Sequence, residues 1–316
     1  MTRLVTQRLL ALIPTMLGVG TLVFFMVRLI PGDVVDTMFA DAEAWDPEVA
    51  ARMRALFGLD KPLPVQFWDW LSAVLRGNLG YSLRTHTAVT TELASRMPAT
   101  LELAIGALLI GAIIAIPAGV LSATRRNSFT DLAARLIALV GLSMPNFWLG
   151  ILLIYVLGVV LHVLPAGGYV PFLQNPLDSL KLGILPMITL GVGLAGITMR
   201  QTRSQMLEVL GEDFVRTSQA KGLGARLVTY RHALPNALIP VVTVVGLQLG
   251  RLLGGTVIIE QIFQWPGIGQ LIFRAIDTRD YPMIQGSVLA LAFFFVISNL
   301  LVDVLYIVVD PRLRHG

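Results

Sequence analysis

Six apolar runs constrain this chain more than any other feature: Leu9 to Val27, Leu103 to Thr124, Leu136 to about Leu161, Leu182 to Met199, Ala233 to Gly250 running on past Arg251 to about Ile259, and Met283 to Val302. A helix needs about 20 apolar residues to cross the hydrocarbon of a bilayer, where each backbone donor and acceptor must be satisfied within its own segment. The alternating pattern of a membrane barrel is absent from these runs, and 55% of the chain is apolar. The expectation is an all-α, polytopic membrane protein with six transmembrane helices. The first run follows Arg3 and Arg8, as in a secretory signal. It is longer than a signal core, however, and leads into Arg28 and Pro31-Gly32-Asp33 in place of a small-residue cleavage site, so it reads as the first span.

Basic residues orient the spans. With the N-terminus inside, the inner connections and tails carry Arg3, Arg8, Arg125, Arg126, Arg200, Arg203, Arg216, Lys221, Arg226, Arg231, Arg312 and Arg314, a total of twelve. The outer connection 31–98 holds six basic against nine acidic residues. Both termini are therefore expected in the cytoplasm, and the net charge of +4 faces the anionic inner leaflet of the lipid bilayer rather than nucleic acid. The whole of 1–316 reads as a single transmembrane domain, with 31–98 an extracytoplasmic insertion and 200–233 a cytoplasmic loop.

Several chemistries are excluded. The chain has no cysteine, hence no disulfide or thiolate site, and its four histidines, His86, His162, His232 and His315, lack ligand spacing. The three lysines, Lys61, Lys181 and Lys221, follow Asp, Leu and Ala, so none sits in a Gly-Lys phosphate loop. No nucleophile elbow is present. No catalytic, cofactor-binding or metal-binding residue is expected on this chain, and it is not read as an enzyme.

Polar groups within spans cost free energy unless paired or hydrated. Asn146, Gln248, Arg251, Asn299 and Asp303 are the candidates for lining a passage, with helix-bridging as the competing role. Arg251 and Asp303 lie at different depths on helices five and six and are not expected to pair. In the outer connection, helices are expected over Pro47 to Phe57 and from Phe67 onward. There Phe67, Trp70, Leu71, Val74 and Leu75 form an apolar stripe at helical spacing, fit to pack on the bundle or lie at headgroup depth.

Between spans four and five runs a polar, basic segment. Glu212 to Ala220 favours helix, Lys221-Gly222-Leu223-Gly224 supplies a tight turn, and Leu227 to Leu234 resumes as a helix punctuated by Pro235 and Pro240. An exposed glycine turn lets another protein's surface approach the backbone closely. The same segment resembles the shared loop of permease subunits of ATP-binding-cassette importers. That loop reads Glu-Ala-Ala, three residues, Gly, nine residues, Ile, one residue, Leu-Pro. Here Gly222 and Leu234-Pro235 keep the spacing, Arg216-Thr217-Ser218 stands for Glu-Ala-Ala, and His232 stands for Ile. RTSQAKGL and RHALPNALIPVVT are similar to the version in dipeptide, oligopeptide, nickel and glutathione permeases. So are PGD at Pro31 to Asp33, FGLDKPLPVQFW at Phe57 to Trp68, NLGYSL at Asn78 to Leu83, MPATLELA at Met97 to Ala104, SMPNFWLG at Ser143 to Gly150, WPGIG at Trp265 to Gly269, RDYPMIQG at Arg279 to Gly286 and the closing DVLYIVVDPRLR.

The resemblance implies a type I importer permease in a bacterial or archaeal cytoplasmic (inner) membrane. It implies as partners a second homologous permease subunit, two cytoplasmic ATP-binding subunits that hold ATP and Mg, and an extracytoplasmic solute-binding protein. Arg216, Thr217, Ser218, Gln219, Ala220, Lys221, Gly222, Leu223 and Gly224 would form the ATPase-coupling helix, with Leu234 and Pro235 closing the motif. Phe67, Trp70, Leu71 and Val74 would contribute to a lid that meets the binding protein. The implied cargo is a di- or oligopeptide, with nickel or glutathione as alternatives; a secondary transporter is the other class, and no internal inverted repeat supports it.

Overall fold

The computed structural model describes residues 2–39 and 46–309; the closing Arg312 and Arg314 lie outside the described residues. Every named element in them is a helix: α1 (Thr2–Arg28), α2 (Val34–Met38), α3 (Pro47–Leu56), α4 (Leu63–Leu75), α5 (Val89–Thr124), α6 (Phe129–Ser143), α7 (Asn146–Leu153), α8 (Pro176–Leu210), α9 (Asp213–Ala220), α10 (Ala225–Leu227), α11 (Leu234–Gly255), α12 (Val257–Ile262), α13 (Ile268–Asp277) and α14 (Tyr281–Val309). Wider-wound π turns continue α7 over Ile154–Val160 and lead into α11 over Val228–Ala233.

Five helices among the described residues are long and apolar enough to cross a membrane, and a bent pair completes the sixth. That pair corrects the expected third span. The run from Leu136 to about Leu161 is two helices, Phe129–Ser143 and Asn146–Val160, meeting at 101°. Pro145 is the cause. Its ring drives the preceding residue out of the helical region, and Met144 sits extended at φ −81, ψ 124. The fourth span exceeds its apolar run, because α8 continues as a polar helix eleven residues past Met199 to Leu210. The fifth begins earlier than expected, its apolar helix running over Ala225–Leu252, and α11 stops at Gly255, after which α12 takes over beyond Thr256 and passes Ile259. Pro235 and Pro240 do not interrupt α11: Pro235 lies in its first turn and Pro240 within it.

The core is the pair α5 and α8, held together where glycines let their backbones touch. A Cβ on Gly191 would stand 2.9 Å from the Ala107 carbonyl oxygen, and one on Gly119 would stand 2.9 Å from that of Met199. Without a hydrophobic drive between helices inside lipid, such close backbone contact supplies the packing energy. Gly191→Leu should therefore force the pair apart at a cost of about 3 kcal/mol, read as a lower unfolding temperature in detergent. An unchanged transition would show that the contact contributes nothing.

At one end of the bundle Arg28, at the close of α1, stacks 3.5 Å over the Phe24 ring, and the hydroxyl of Tyr281, which opens α14, donates to the Gly32 carbonyl at 3.1 Å. The first and last spans therefore run antiparallel, and their free ends share the opposite end with the loops at 125–128 and 211–224. That opposite end carries the basic residues Arg125, Arg126, Arg200, Arg203, Arg216, Lys221, Arg226 and Arg231.

Candidate functional site: the hairpin at the basic end

The polar extension of α8 is anchored by a buried carboxylate. Asp131, fully buried in the first turn of α6, accepts from Arg203 Nε at 2.9 Å and Nη2 at 3.1 Å, from Ser122 Oγ at 2.5 Å and from the Asn127 N–H at 3.0 Å. Arg135 lies 3.3 Å from the same carboxylate. Three spans are thus tied at one point just above the hairpin. A two-pronged guanidinium–carboxylate pair resists rotation as well as separation, so a displacement of the hairpin reaches α5 and α6 through a stiff joint.

Below that joint the chain turns through Gly211 and Glu212 into α9. Val215 is its buried residue, packed inward, while Arg216, Thr217 and Gln219 to Gly224 face outward or lie at the rim. Thr217 and Ser218 return their hydroxyls to the carbonyls of Asp213 and Phe214 at 2.9 and 2.8 Å. The turn then closes by Gly222 N–H to Gln219 O at 2.9 Å and Leu223 N–H to Ser218 O at 3.3 Å. Gly222 has φ +81, a conformation that favours glycine, and a Cβ there would meet nothing within 4 Å. No described residue fills that space. The sequence thus placed Arg216 to Gly224 on one exposed helix and turn, and the structure brings them together beside the exposed apolar side chains Phe214 and Leu223. Leu234 and Pro235 lie a π turn further on, at the base of α11, and pack toward the bundle only through Leu234.

The outer candidates fall elsewhere. Phe67 and Trp70 pack against Phe24 of α1 with ring centroids 5.2 and 5.4 Å apart. Trp70, Leu71 and Val74 roof an apolar cavity of about 710 Å³ between α1, α5 and α14. Within the insertion that carries them Arg54 grips Asp33 at 2.7 Å and Asp36 at 2.6 Å, and Ser82 ties it to the bundle by donating to Asp280 at 2.5 Å. Of the in-span polar residues, Gln248 is buried and donates to Thr198 Oγ1 at 3.1 Å, bridging α11 to α8. Asn146 is exposed at the bend, Asn299 is half-buried near Gly250, and Arg251 is exposed. Asp303 lies in α14, where only its backbone is described.

Sequence reading missed the carboxylates that organise the fold. Glu260 on α12 is fully buried, accepting from Thr100 Oγ1 at 2.9 Å and from the Gln270 N–H at 2.9 Å. Thr100 in turn accepts from the Ile268 N–H at 2.9 Å, so the free N–H groups that open α13 are satisfied by this pair. Burial pushes the Glu260 carboxyl up from its usual range, and the donors around it pull it back down. A Cβ at Gly267 would collide with this carboxyl, and one at Gly269 would come within 2.9 Å. The signal was the pair of glycines in WPGIG, whose spacing reports a close approach without naming the group that approaches.

Comparison with known proteins agrees with this architecture. Residues 115–315 match the family described as binding-protein-dependent transport system inner membrane component, and residues 1–104 match its N-terminal companion. The chain is 42% identical to the di/tripeptide transport system permease protein of Pseudomonas aeruginosa over 335 residues, spanning 100% of this chain and 99% of the relative. It is 43% identical to the dipeptide transport system permease protein of Escherichia coli, with the same coverage. Identity to the glutathione transport system permease protein of Salmonella typhimurium is 42%, over 100% of both chains. A solved chain of the inward-facing MetNI methionine ABC transporter shares the fold at TM-score 0.56 and 21% identity, covering 69% of this chain and 96% of its own. With full-length relatives above 40% identity, and five membrane-length apolar helices and one bent pair in the expected order, this chain belongs to the family of binding-protein-dependent transport system inner membrane components.

Proposed function

We propose that this chain is one permease subunit of an ATP-driven importer of short peptides in a bacterial cytoplasmic membrane, paired with a second, homologous permease. The observation that carries the proposal is the hairpin at the basic end, which presents Phe214, Leu223 and an unobstructed Gly222 turn with no partner surface of its own. Two ATP-binding subunits that hold ATP and Mg would each receive such a hairpin, from this chain and from its partner permease. Closure of the ATPase pair would move the hairpin, and the Asp131–Arg203 joint would pass that motion to the spans as a rigid-body rocking. The cargo follows from the relatives, whose names specify dipeptides, di- and tripeptides, and glutathione, all of them peptides. An extracytoplasmic solute-binding protein would deliver it at the end capped by the 31–98 insertion.

The experiment is reconstitution of this chain with its partner permease and ATPase subunits in proteoliposomes, with the binding protein supplied outside. Uptake of a labelled dipeptide that requires ATP and all components is expected. Uptake by the permeases alone, driven by an ion gradient, would overturn the proposal in favour of a secondary carrier.

A further inference from the structure

Arg251 is in an unusual position for an arginine. It stands roughly 26 Å along α11 from Leu234, at 1.5 Å per residue. The neighbouring Gly250 lies against Phe295 and Asn299 of α14, with Phe295 roughly 21 Å below the outer end of that helix. The second measure sets Arg251 level with the middle of α14, although it stands only four residues before α11 ends at Gly255. Yet it is exposed, and no hydrogen bond or ion pair to a described residue satisfies it.

The faces of α11 explain which way it looks. Gln248 bonds to α8 and Gly250 contacts α14, so these sides are covered. Leu247, Arg251, Gly254, Gly255 and Ile258 share the remaining face, all exposed, and a Cβ on either Gly254 or Gly255 would meet nothing within 4 Å. A guanidinium level with the middle of α14 is costly against lipid chains and is stabilised by water or a counter-charge. The two glycines leave an open notch one turn above it.

Resting on the peptide-importer reading above, we propose that Arg251 lines the water-filled passage and binds the terminal carboxylate of the peptide in transit, in the notch left by Gly254 and Gly255. The planar guanidinium matches a carboxylate through two parallel N–H···O bonds. Every linear peptide carries that group whatever its side chains, so one arginine serves a passage that must accept varied cargo. Being solvated on one side, the contact is weak enough for release, as conduction requires.

The test uses the full importer in proteoliposomes. Because the chain has no native cysteine, Gly254→Cys places one thiol in it, in the notch beside an intact Arg251. A water-soluble, negatively charged thiol reagent should modify that thiol, and saturating dipeptide with its binding protein should slow the reaction several-fold. Arg251→Gln should lower dipeptide uptake about tenfold, the scale of one lost hydrogen bond between ions, while both permeases still co-purify in equal amounts. Modification only by a lipid-soluble maleimide, or undiminished uptake by Arg251→Gln, would overturn the assignment. Loss of the partner permease from the purified variant would also overturn it, by making Arg251 one half of an ion pair between subunits. Absence of ATP-driven peptide uptake by the wild-type assembly would instead bring down the importer reading itself.

Discussion

Replacing Gly222 with tryptophan is expected to abolish ATP-driven peptide uptake, by on the order of 100-fold if docking of the turn is worth the 2–4 kcal/mol of an interface hot spot. Two effects add at this position. Gly222 holds φ +81, where any residue with a Cβ pays about 1–2 kcal/mol. The indole would also occupy the open space beside the turn, where a Cβ meets no described residue within 4 Å. Beyond that backbone cost, the damage from the indole would fall on a partner surface. Gly222→Ala separates the two effects, since it carries the backbone cost without the bulk, and it should retain measurable uptake. The decisive measurements are uptake, membrane insertion and co-purification of the ATPase subunits. Full uptake by the tryptophan variant would sink the coupling role of the hairpin, because a docked turn has no room for an indole.

Glu260→Ala is expected to cost about 3–5 kcal/mol of stability, for a reason unrelated to transport. Its carboxylate satisfies Thr100 Oγ1 and the Gln270 N–H, both buried, and through Thr100 it supports the Ile268 N–H at the start of α13. Each buried donor left without a partner costs about 1–3 kcal/mol. Trp265, whose ring nitrogen donates to the Ala99 carbonyl at 2.7 Å, holds the same corner and would lose its register with α5. Thermal unfolding of the detergent-purified chain gives the readout. Thr100→Val, which removes one hydroxyl but keeps the shape, should shift the transition in the same direction by a smaller amount. A Glu260→Ala variant that unfolds at the wild-type temperature would show that these donors find other partners.

Local information settled much of this protein. The bounds of the apolar runs fixed the number of spans, because hydrocarbon thickness sets a length that a sequence either reaches or does not. The hairpin was legible for a similar reason: helix-favouring residues, then Lys221-Gly222-Leu223-Gly224, then helix, with Gly222 taking the positive φ expected of it. The helix expected over 47–57 forms over 47–56, and the apolar stripe of α4 followed from its spacing. Two of the local misreadings involved a proline. Pro145 bent a span that looked continuous, whereas Pro235 and Pro240 left α11 unbroken, Pro235 because it stands in the first turn where an unpaired N–H is the rule.

Tertiary structure alone decided which polar groups meet. Asp131 finds Arg203 across 72 residues, Glu260 finds Thr100 across 160, and Ser82 finds Asp280 across 198. A sequence shows that each carboxylate needs donors, since burial without them is costly, but the donors are chosen by how the helices pack. That packing rests on backbone contact at glycines such as Gly191 and Gly119. The apolar lengths that carry the chain across the membrane are properties of segments; the buried charges that lock those segments, and the open face on which Arg251 is left, are properties of their arrangement.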